Sequence, residues 1–299
     1  GRASTVSVLN AIEEVGLSDE PHTVSEELGF INIHFYAAAA SLYGSEVSGG
    51  FEFEGMSYYG KYNHVEGWDS CSDCHDPHTL QLSVNECAEC HEGVVEVEDL
   101  GGIRSVASNV DYDGDGDIEE GIAGEIDSLQ TMLLASIELY AEEFVGVPIL
   151  YGSSYPYFFT DLNGDGELNE DEQSRDNSYS NFTPALLEAS YNYQMSRQDP
   201  GGYAHNADYH IELLVDSIAA LNDDLGEGVD MMSLHRNAEG HFASSDDAFR
   251  HWDEDGEVSG RCSKCHTAEG LPFFLEEGVT IAFDPSNSLE CTSCHDLND

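Results

Sequence analysis

The sequence predicts a mainly α-helical fold with much irregular structure and minor β-hairpin content, built as a single domain over residues 1–299. Three stretches repeat apolar residues at helical spacing, whereas 29 glycines and 8 prolines interrupt the rest of the chain. Hydrophobic residues make up 40% of the sequence, enough for a core in spite of a net charge of −51. No long low-complexity linker divides the sequence.

The first predicted elements lie in the N-terminal third. Residues 28–45 form the longest uncharged run, and we predict a buried helix there, opened by a capping box at Thr23 and Glu26. Because this run contains Asn32, His34 and two glycines, a buried helix explains it better than a membrane span. Alternating phenylalanines predict a small hairpin over residues 50–59.

Three helices are predicted in the middle of the chain, between about residues 101 and 232. The first covers residues 125–144, with apolar residues every three or four positions. The second begins after Thr183, with Pro184 in its first turn, and continues to about Arg197. The third covers residues 207–221 and ends before a glycine. Their apolar stripes are expected to form core.

All 8 cysteines lie in C-x-x-C-H motifs. Two thiols at this spacing attach the two vinyl groups of one porphyrin, and the adjacent histidine ligates the iron. Zinc sites, redox pairs and disulfide scaffolds also use paired cysteines, but none of them requires a histidine after each pair. The sequence therefore predicts four haem c groups, held by Cys71, Cys74 and His75; Cys87, Cys90 and His91; Cys262, Cys265 and His266; and Cys291, Cys294 and His295.

The position of the motifs refines the predicted fold. They occupy residues 71–91 and 262–295, with the helical segment between them. For the two pairs of haems to exchange electrons, the two parts must converge, which favours one domain packed around a row of haems. Attachment of haem c takes place outside the cytoplasm, so an exported chain is expected. The first residues lack the apolar core of a signal peptide, which favours a processed form.

The sixth ligand of each iron is expected to be a second histidine. Nine histidines lie outside the motifs, and the 5 methionines are scattered, so bis-histidine ligation with low potentials is favoured. A turn stiffened by Pro77 would direct the histidine after it towards a neighbouring haem. The distal candidates are His34, His64, His78, His205, His241 and His251. We expect surface positions for His22, His210 and His235, which have polar neighbours or an exposed helix face.

Two acidic loops predict calcium sites. One matches the twelve-residue calcium loop through Asp161, Asn163, Asp165, Glu167, Asn169 and Glu172. Irregular chain is expected before it, which favours a structural site over a sensor helix pair. The other loop contains Asp111, Asp113, Asp115 and Asp117, but its twelfth position is Ile122, so Glu120 or Glu125 would have to complete it. The alternative is a pair of solvated acidic turns, although clustered carboxylates are costly without a cation.

The chain resembles exported multihaem c-type cytochromes. The resemblance is carried by the four motifs and by shorter segments, namely 74–78, Asn32-Ile33-His34, 201–206 and 249–253. With four haems it also resembles tetrahaem cytochromes that polymerise into extracellular filaments. That resemblance implies haems stacked through the subunits, and a histidine of one subunit that ligates a haem of the next.

The composition narrows the function. With 60 acidic and 9 basic residues, the sequence excludes nucleic-acid binding through phosphates and attraction to anionic membranes. We expect long-range electron transfer without catalysis, in an extracellular homopolymer that meets redox donors and acceptors. A soluble periplasmic or secreted shuttle is the main alternative, and an oxyanion reductase the second, although it would need an open iron. Calcium, or a high-salt habitat, would offset the repulsion between subunits.

Overall fold

Helices dominate the regular structure, which confirms the predicted mainly helical class. The computed structural model describes residues 3–33, 37–65, 67–104, 110–222, 225 and 228–237, and the backbone of 257–258 and 280–281. Its helices are α1 (Thr5–Glu14), α2 (Ala38–Tyr43), α3 (Cys71–Cys74), α4 (Val84–Cys87), α5 (Ile122–Tyr140), α6 (Pro184–Arg197) and α7 (Gly202–Asn222). The short strands are β1 (Ile149–Tyr151), β2 (Phe158–Thr160), β3 (Glu257–Val258) and β4 (Thr280–Ile281).

The chain divides into two units, Gly1–Ala238 and Glu239–Asp299. The second unit contributes the parallel pair of β3 and β4 to the described residues. It also contains the third and fourth haem motifs, which lie outside those residues, as do His241 and His251. The single domain predicted over residues 1–299 spans both units and stays a prediction.

The core of the first unit is formed by α5, α6 and α7, which pack against one another. Leu133 of α5, Leu187 of α6 and Leu214 of α7 are fully buried among them. Burying a leucine side chain stabilises a fold by about 2 kcal/mol, so the three apolar stripes make a large contribution. None of the helices in the described ranges is both long and apolar enough to cross a membrane.

The bounds of α6 agree with the prediction. Thr183 lies at the N-cap, where its side chain accepts a hydrogen bond from the backbone N–H of Leu186, and Pro184 occupies the first turn. Helix α6 is buried on nearly all sides. Buried polar side chains need partners within the protein, and Asn192 and Gln194 find theirs on two neighbouring segments.

The hairpin predicted at residues 50–59 is wrong. The backbone N–H of Phe51 donates to Asn192 Oδ1 at 2.6 Å, and the carbonyl of Phe51 accepts from Asn192 Nδ2 at 2.9 Å. Because a side chain of α6 satisfies this backbone pair, the segment needs no partner strand. The antiparallel hairpin lies instead between β1 and β2, where Leu150 pairs with Phe159.

The helix predicted over residues 28–45 is also wrong for its first part, residues 28–33. Residues 23–33 run as turns and extended chain, and α2 is the helical part of this stretch. The N–H of Ser25 donates to the carbonyl of Phe182, and the N–H of Ile33 donates to Gln194 Oε1 at 3.0 Å. Contacts with α6 and with Phe182, two positions before it, thus replace the internal bonds of a helix. His34 lies outside the described residues.

Candidate functional site

The first two cysteine motifs lie on one-turn helices that are joined by a tight turn. Helix α3 begins after Ser70, whose side chain and that of Asp73 form a reciprocal capping box. Burial raises the pKa of the Cys74 thiol, and the nearby Cys87 raises it further, so thiols from the two motifs lie close together. None of the thiols Cys71, Cys74, Cys87 and Cys90 is paired in a disulfide.

The connecting turn is organised by Asp76. Its Oδ1 accepts hydrogen bonds from the backbone N–H groups of His78 and Thr79, at 2.9 and 2.8 Å. The turn brings His75 opposite Leu82 in an antiparallel bridge. His78, which the sequence nominates as a distal ligand, is exposed on this turn. The local sequence therefore fixes the spacing of the two motifs without help from the core.

The rings of His75 and His205 lie at a centroid distance that suits two ligands of one metal ion. Their ring centroids are 6.3 Å apart, and the ring planes are inclined by 41°. Two metal–nitrogen bonds of about 2 Å and two half-rings place the centroids of opposite imidazole ligands about 6 Å apart. His75 Nδ1 lies 2.9 Å from the carbonyl oxygen of Leu80. A carbonyl only accepts, so Nδ1 donates and Nε2 keeps its lone pair.

The orientation of His205 is fixed by Asp199. Nδ1 of His205 lies 2.9 Å from both carboxylate oxygens, and the Asp199 side chain is 2% exposed. Burial alone would raise the pKa of Asp199, but the hydrogen bond from His205 and the proximity of His210 outweigh it and hold this pKa well below its usual range. Asp199 is therefore ionised and accepts only, so His205 Nδ1 donates and Nε2 is left for a metal.

Two glycines allow this arrangement. A Cβ on Gly201 would lie 2.9 Å from the His205 ring, and one on Gly202 would lie 2.8 Å from His210 Nε2. Either contact is closer than carbon atoms tolerate, so side chains at these positions would displace the rings. The adjacent glycines thus let both histidines approach the backbone at the start of α7.

A second pair of histidines has similar geometry. The centroids of His64 and His91 are 6.0 Å apart, with the planes inclined by 42°. His91 follows α4, and its N–H donates to the carbonyl of Cys87 at 2.9 Å. Partial burial and the nearby His91 lower the pKa of His64, which favours the neutral ring that a metal requires.

Asn206 connects the segments that carry His205 and His64. It has a non-helical conformation within α7, with φ −172° and ψ 81°. Its Nδ2 donates to the carbonyl of Gly60 at 2.9 Å, and its Oδ1 accepts from the N–H of Tyr209. The kink in α7 therefore coincides with a tether between two candidate ligand segments.

The expectation of a surface position for His210 is wrong. This side chain is fully buried, its Nε2 lies 2.9 Å from Ser41 Oγ of α2, and it is 3.8 Å from Asp199. The apolar stripe of α7 is wider than its sequence pattern indicates, because α2 covers a further face. His235 is exposed as expected, and His22 is half-buried with Nδ1 2.9 Å from the Tyr140 hydroxyl.

The acidic loop of residues 161–172, called the second acidic loop below, has the backbone geometry of a calcium loop. Asp161 accepts hydrogen bonds from the N–H groups of Gly164 and Gly166, at 2.6 and 2.9 Å. Both glycines have positive φ, which other residues rarely adopt. Glu172 is 3% exposed and accepts from the N–H of Leu162 at 2.8 Å. The loop follows β2 and leads into irregular chain, as expected of a structural site.

The acidic loop of residues 111–122, called the first acidic loop below, repeats this hydrogen-bond pattern. Asp111 accepts from the N–H groups of Gly114 and Gly116, at 2.7 and 2.8 Å, and both glycines again have positive φ. Carboxylate oxygens of Asp111, Asp113 and Asp115 lie within 4.8 Å of one another.

The carboxylates of Asp113, Glu120 and Glu125 form a second group of the same size at this loop. Burial, and then the neighbouring Glu125, raises the pKa of Glu120 to about 7. The raised pKa thus reflects burial first, and then the negative charges of the neighbouring carboxylates.

At the first two motifs a second histidine lies near the histidine that follows the paired thiols, an arrangement typical of multihaem c-type cytochromes. Comparison with known proteins finds similarity of the chain to members of that class. It is 26% identical to C-type polyheme cytochrome OmcC of Geobacter sulfurreducens over 230 residues, or 68% of this chain. It is 25% identical to C-type polyheme cytochrome OmcB of the same organism over 244 residues. The chain spans only 28–29% of the length of these relatives. No family model and no solved structure matches it.

Sequence reasoning missed Asp199 altogether. It lies six positions before His205 and is separated from it by Pro200 and two glycines, so no helical or strand period links the two. An acidic residue beside a Pro-Gly-Gly turn and a histidine is the signal that could have indicated the contact.

Proposed function

We propose that the chain is an exported tetrahaem c-type cytochrome that transfers electrons over long distances between closely packed haems. The observation that carries this proposal is the use of all 8 cysteines in four C-x-x-C-H motifs. The polyheme cytochrome relatives support the same class. The haem supplies the redox chemistry, so the protein's own residues hold it, fix its ligands and control the electrostatic environment.

The ring geometry supports a proposal of two pairs of iron ligands. We assign His75 and His205 to the first haem and His91 and His64 to the second, supported by the centroid distances of 6.3 and 6.0 Å. In the first pair both Nδ1 atoms are held by acceptors, so both Nε2 atoms are available. The remaining candidates for the third and fourth haems, bound through His266 and His295, are His34, His78, His241 and His251.

Asp199 is expected to lower the reduction potential of the first haem. An ionised carboxylate behind His205 makes the imidazole a stronger donor and stabilises the oxidised, more positive iron. Asp199→Asn keeps the shape and an acceptor but removes the charge. We expect the ratio of oxidised to reduced first haem at a fixed potential to fall about tenfold, which is about 59 mV for a one-electron couple.

The measurement is a spectroelectrochemical titration of the holoprotein. Asp19→Asn removes the same charge at an exposed site and serves as the matched control. A shift of the same size in both variants would mean that the effect is one of net charge, and would remove the specific role of Asp199.

We propose further that the protein works as an extracellular filament and that both acidic loops bind calcium. The calcium ligands are those of the sequence analysis, with Glu172 closing the second loop. Oxygen-rich loops with glycines at positive φ support calcium, and bound cations would reduce the repulsion between subunits of charge −51. A soluble shuttle in the periplasm or outside the cell is the alternative assembly state.

The proposal is tested by the mass of the purified protein and by electron microscopy with calcium and with chelator. The mass should exceed that of the polypeptide by four haems, and filaments should appear with calcium. Discrete particles in both conditions would leave a soluble tetrahaem carrier. A mass without covalent haem would contradict the cytochrome proposal itself.

A further inference from the structure

The first acidic loop lacks the closing glutamate that the twelve-residue pattern requires. Its twelfth position is Ile122, the first residue of α5. In the second acidic loop the closing residue is Glu172. Its Oε1 accepts a hydrogen bond at 2.8 Å from the backbone N–H of Leu162, which is position 2 of that loop. That contact gives a way to look for the equivalent residue in the first loop.

Glu125 makes this contact in the first loop. Its Oε2 accepts a hydrogen bond at 2.9 Å from the N–H of Tyr112, which is position 2 of the first acidic loop, and one at 3.0 Å from the N–H of Asp113. Glu125 is fully buried in the first turn of α5. A residue three positions late in the sequence thus occupies the place of the closing glutamate, because the start of the helix folds it back over the loop.

Two buried oxygens at this place lack a partner. Asp113 is 1% exposed, and its Oδ2 makes no hydrogen bond within the described part of the chain; the same holds for the buried Oε1 of Glu120. Both belong to the group of carboxylates that includes Glu125, with oxygens within 4.8 Å of one another. An unsatisfied buried carboxylate oxygen destabilises the fold, and an oxygen-binding cation would satisfy it.

The local charge also calls for a cation. Arg104 Nη1 lies 2.6 Å from Glu125 Oε1 and neutralises one carboxylate. The carboxylates of Asp111, Asp113, Asp115 and Glu120 remain at the same loop. The donor atoms at this loop are all carboxylate oxygens, and there are more than five of them. Such a set favours calcium, because magnesium demands a tighter octahedral shell.

We infer that the first acidic loop is a calcium site in which Glu125 of α5 replaces the missing closing glutamate, with Asp111, Asp113, Asp115 and Glu120 as further ligands. This inference deepens the calcium part of the proposed function and rests on it. It is independent of haem, because none of these residues lies in a haem motif or among the distal candidates.

Calcium at this place would secure the segment 228–237 to α5. The carbonyl of Tyr112 accepts from the N–H of His235 at 3.1 Å, and Gly114 packs against Ser233, where a Cβ would lie 2.5 Å from the Ser233 carbonyl oxygen. The loop therefore bridges the buried start of α5 and the last described segment of the first unit. Ion binding should protect this segment from proteolysis.

The test is calcium titration of the chelator-treated holoprotein by calorimetry. The wild type should bind two ions, Glu125→Gln should weaken one site about 100-fold, and Glu172→Gln should weaken the other to the same extent. Glu142→Gln changes an exposed carboxylate outside both loops and should leave both sites intact. Because Glu125 is buried, Asp115→Asn, at an exposed ligand, tests the same site in a variant whose folding is not at risk.

The outcomes separate the inference from the calcium proposal. Loss of one site in both Glu125→Gln and Asp115→Asn supports the inference. If the wild type binds two ions and Glu125→Gln binds both with unchanged affinity, the inference is overturned. The same follows if the wild type binds a single ion and Glu172→Gln loses it, and in both cases calcium remains in the second acidic loop. A wild type that binds no calcium would overturn both.

Discussion

Replacing His205 by alanine is expected to convert one haem per chain from six-coordinate to five-coordinate iron. The assigned ligand pair would lose its distal member, and His75 would remain with its Nδ1 held by Leu80. A five-coordinate ferrous haem binds carbon monoxide, whereas bis-histidine haems are closed to it. The variant should therefore bind one carbon monoxide per chain, measured as a change in the Soret band, and the wild type none.

The control for this prediction is His235→Ala, which removes an exposed histidine and should leave carbon monoxide binding unchanged. The mass of each variant shows that the haems are still attached. A His205→Ala protein that keeps all its haems and stays inert to carbon monoxide would show that another residue ligates the first haem.

Removal of calcium should lower the thermal stability more than any single surface substitution. A ligand present at 100 times its dissociation constant stabilises the folded state by about 2.7 kcal/mol per site, so two sites contribute about 5 kcal/mol. For a domain of this size, 1 kcal/mol shifts Tm by about 2–4 °C, so excess EDTA should lower Tm by about 10–20 °C. Any filament should also loosen, because the subunits would repel each other more strongly.

Scanning calorimetry and microscopy with EDTA, and then with calcium in excess, check this prediction. Restoration by calcium but not by an equal concentration of sodium chloride distinguishes bound ions from general screening. An unchanged Tm and unchanged morphology in EDTA would contradict the calcium proposal for both loops.

Local signals in the sequence predicted some elements well. The bounds of α6 follow from Thr183 at the cap and Pro184 in the first turn, both of which act within one turn of the chain. The haem motifs are equally local, because the two thiols and the histidine lie within five residues. The prediction of helix 207–221 also agrees with most of α7, although α7 begins at Gly202.

Distant contacts explain what the sequence could not predict. Asn192 satisfies the backbone of Phe51 across 141 positions, which removes the expected hairpin, and Gln194 does the same for Ile33 across 161 positions. His210 becomes buried because α2 covers it. His205, whose ring lies near that of His75, directly precedes the kink at Asn206, which no periodicity in the sequence indicates.

The hydrogen bond from Asn206 to Gly60 is expected to make the loading of the first two haems cooperative. Asn206 directly follows His205, and Gly60 lies four positions before His64, so one bond links the segments that carry both assigned distal ligands. Once one haem captures its distal histidine, the segment of the other is already restrained, and less conformational entropy is lost when the second haem is captured. Haem loading is thus expected to be an all-or-none event for this pair, with half-loaded chains scarce during maturation.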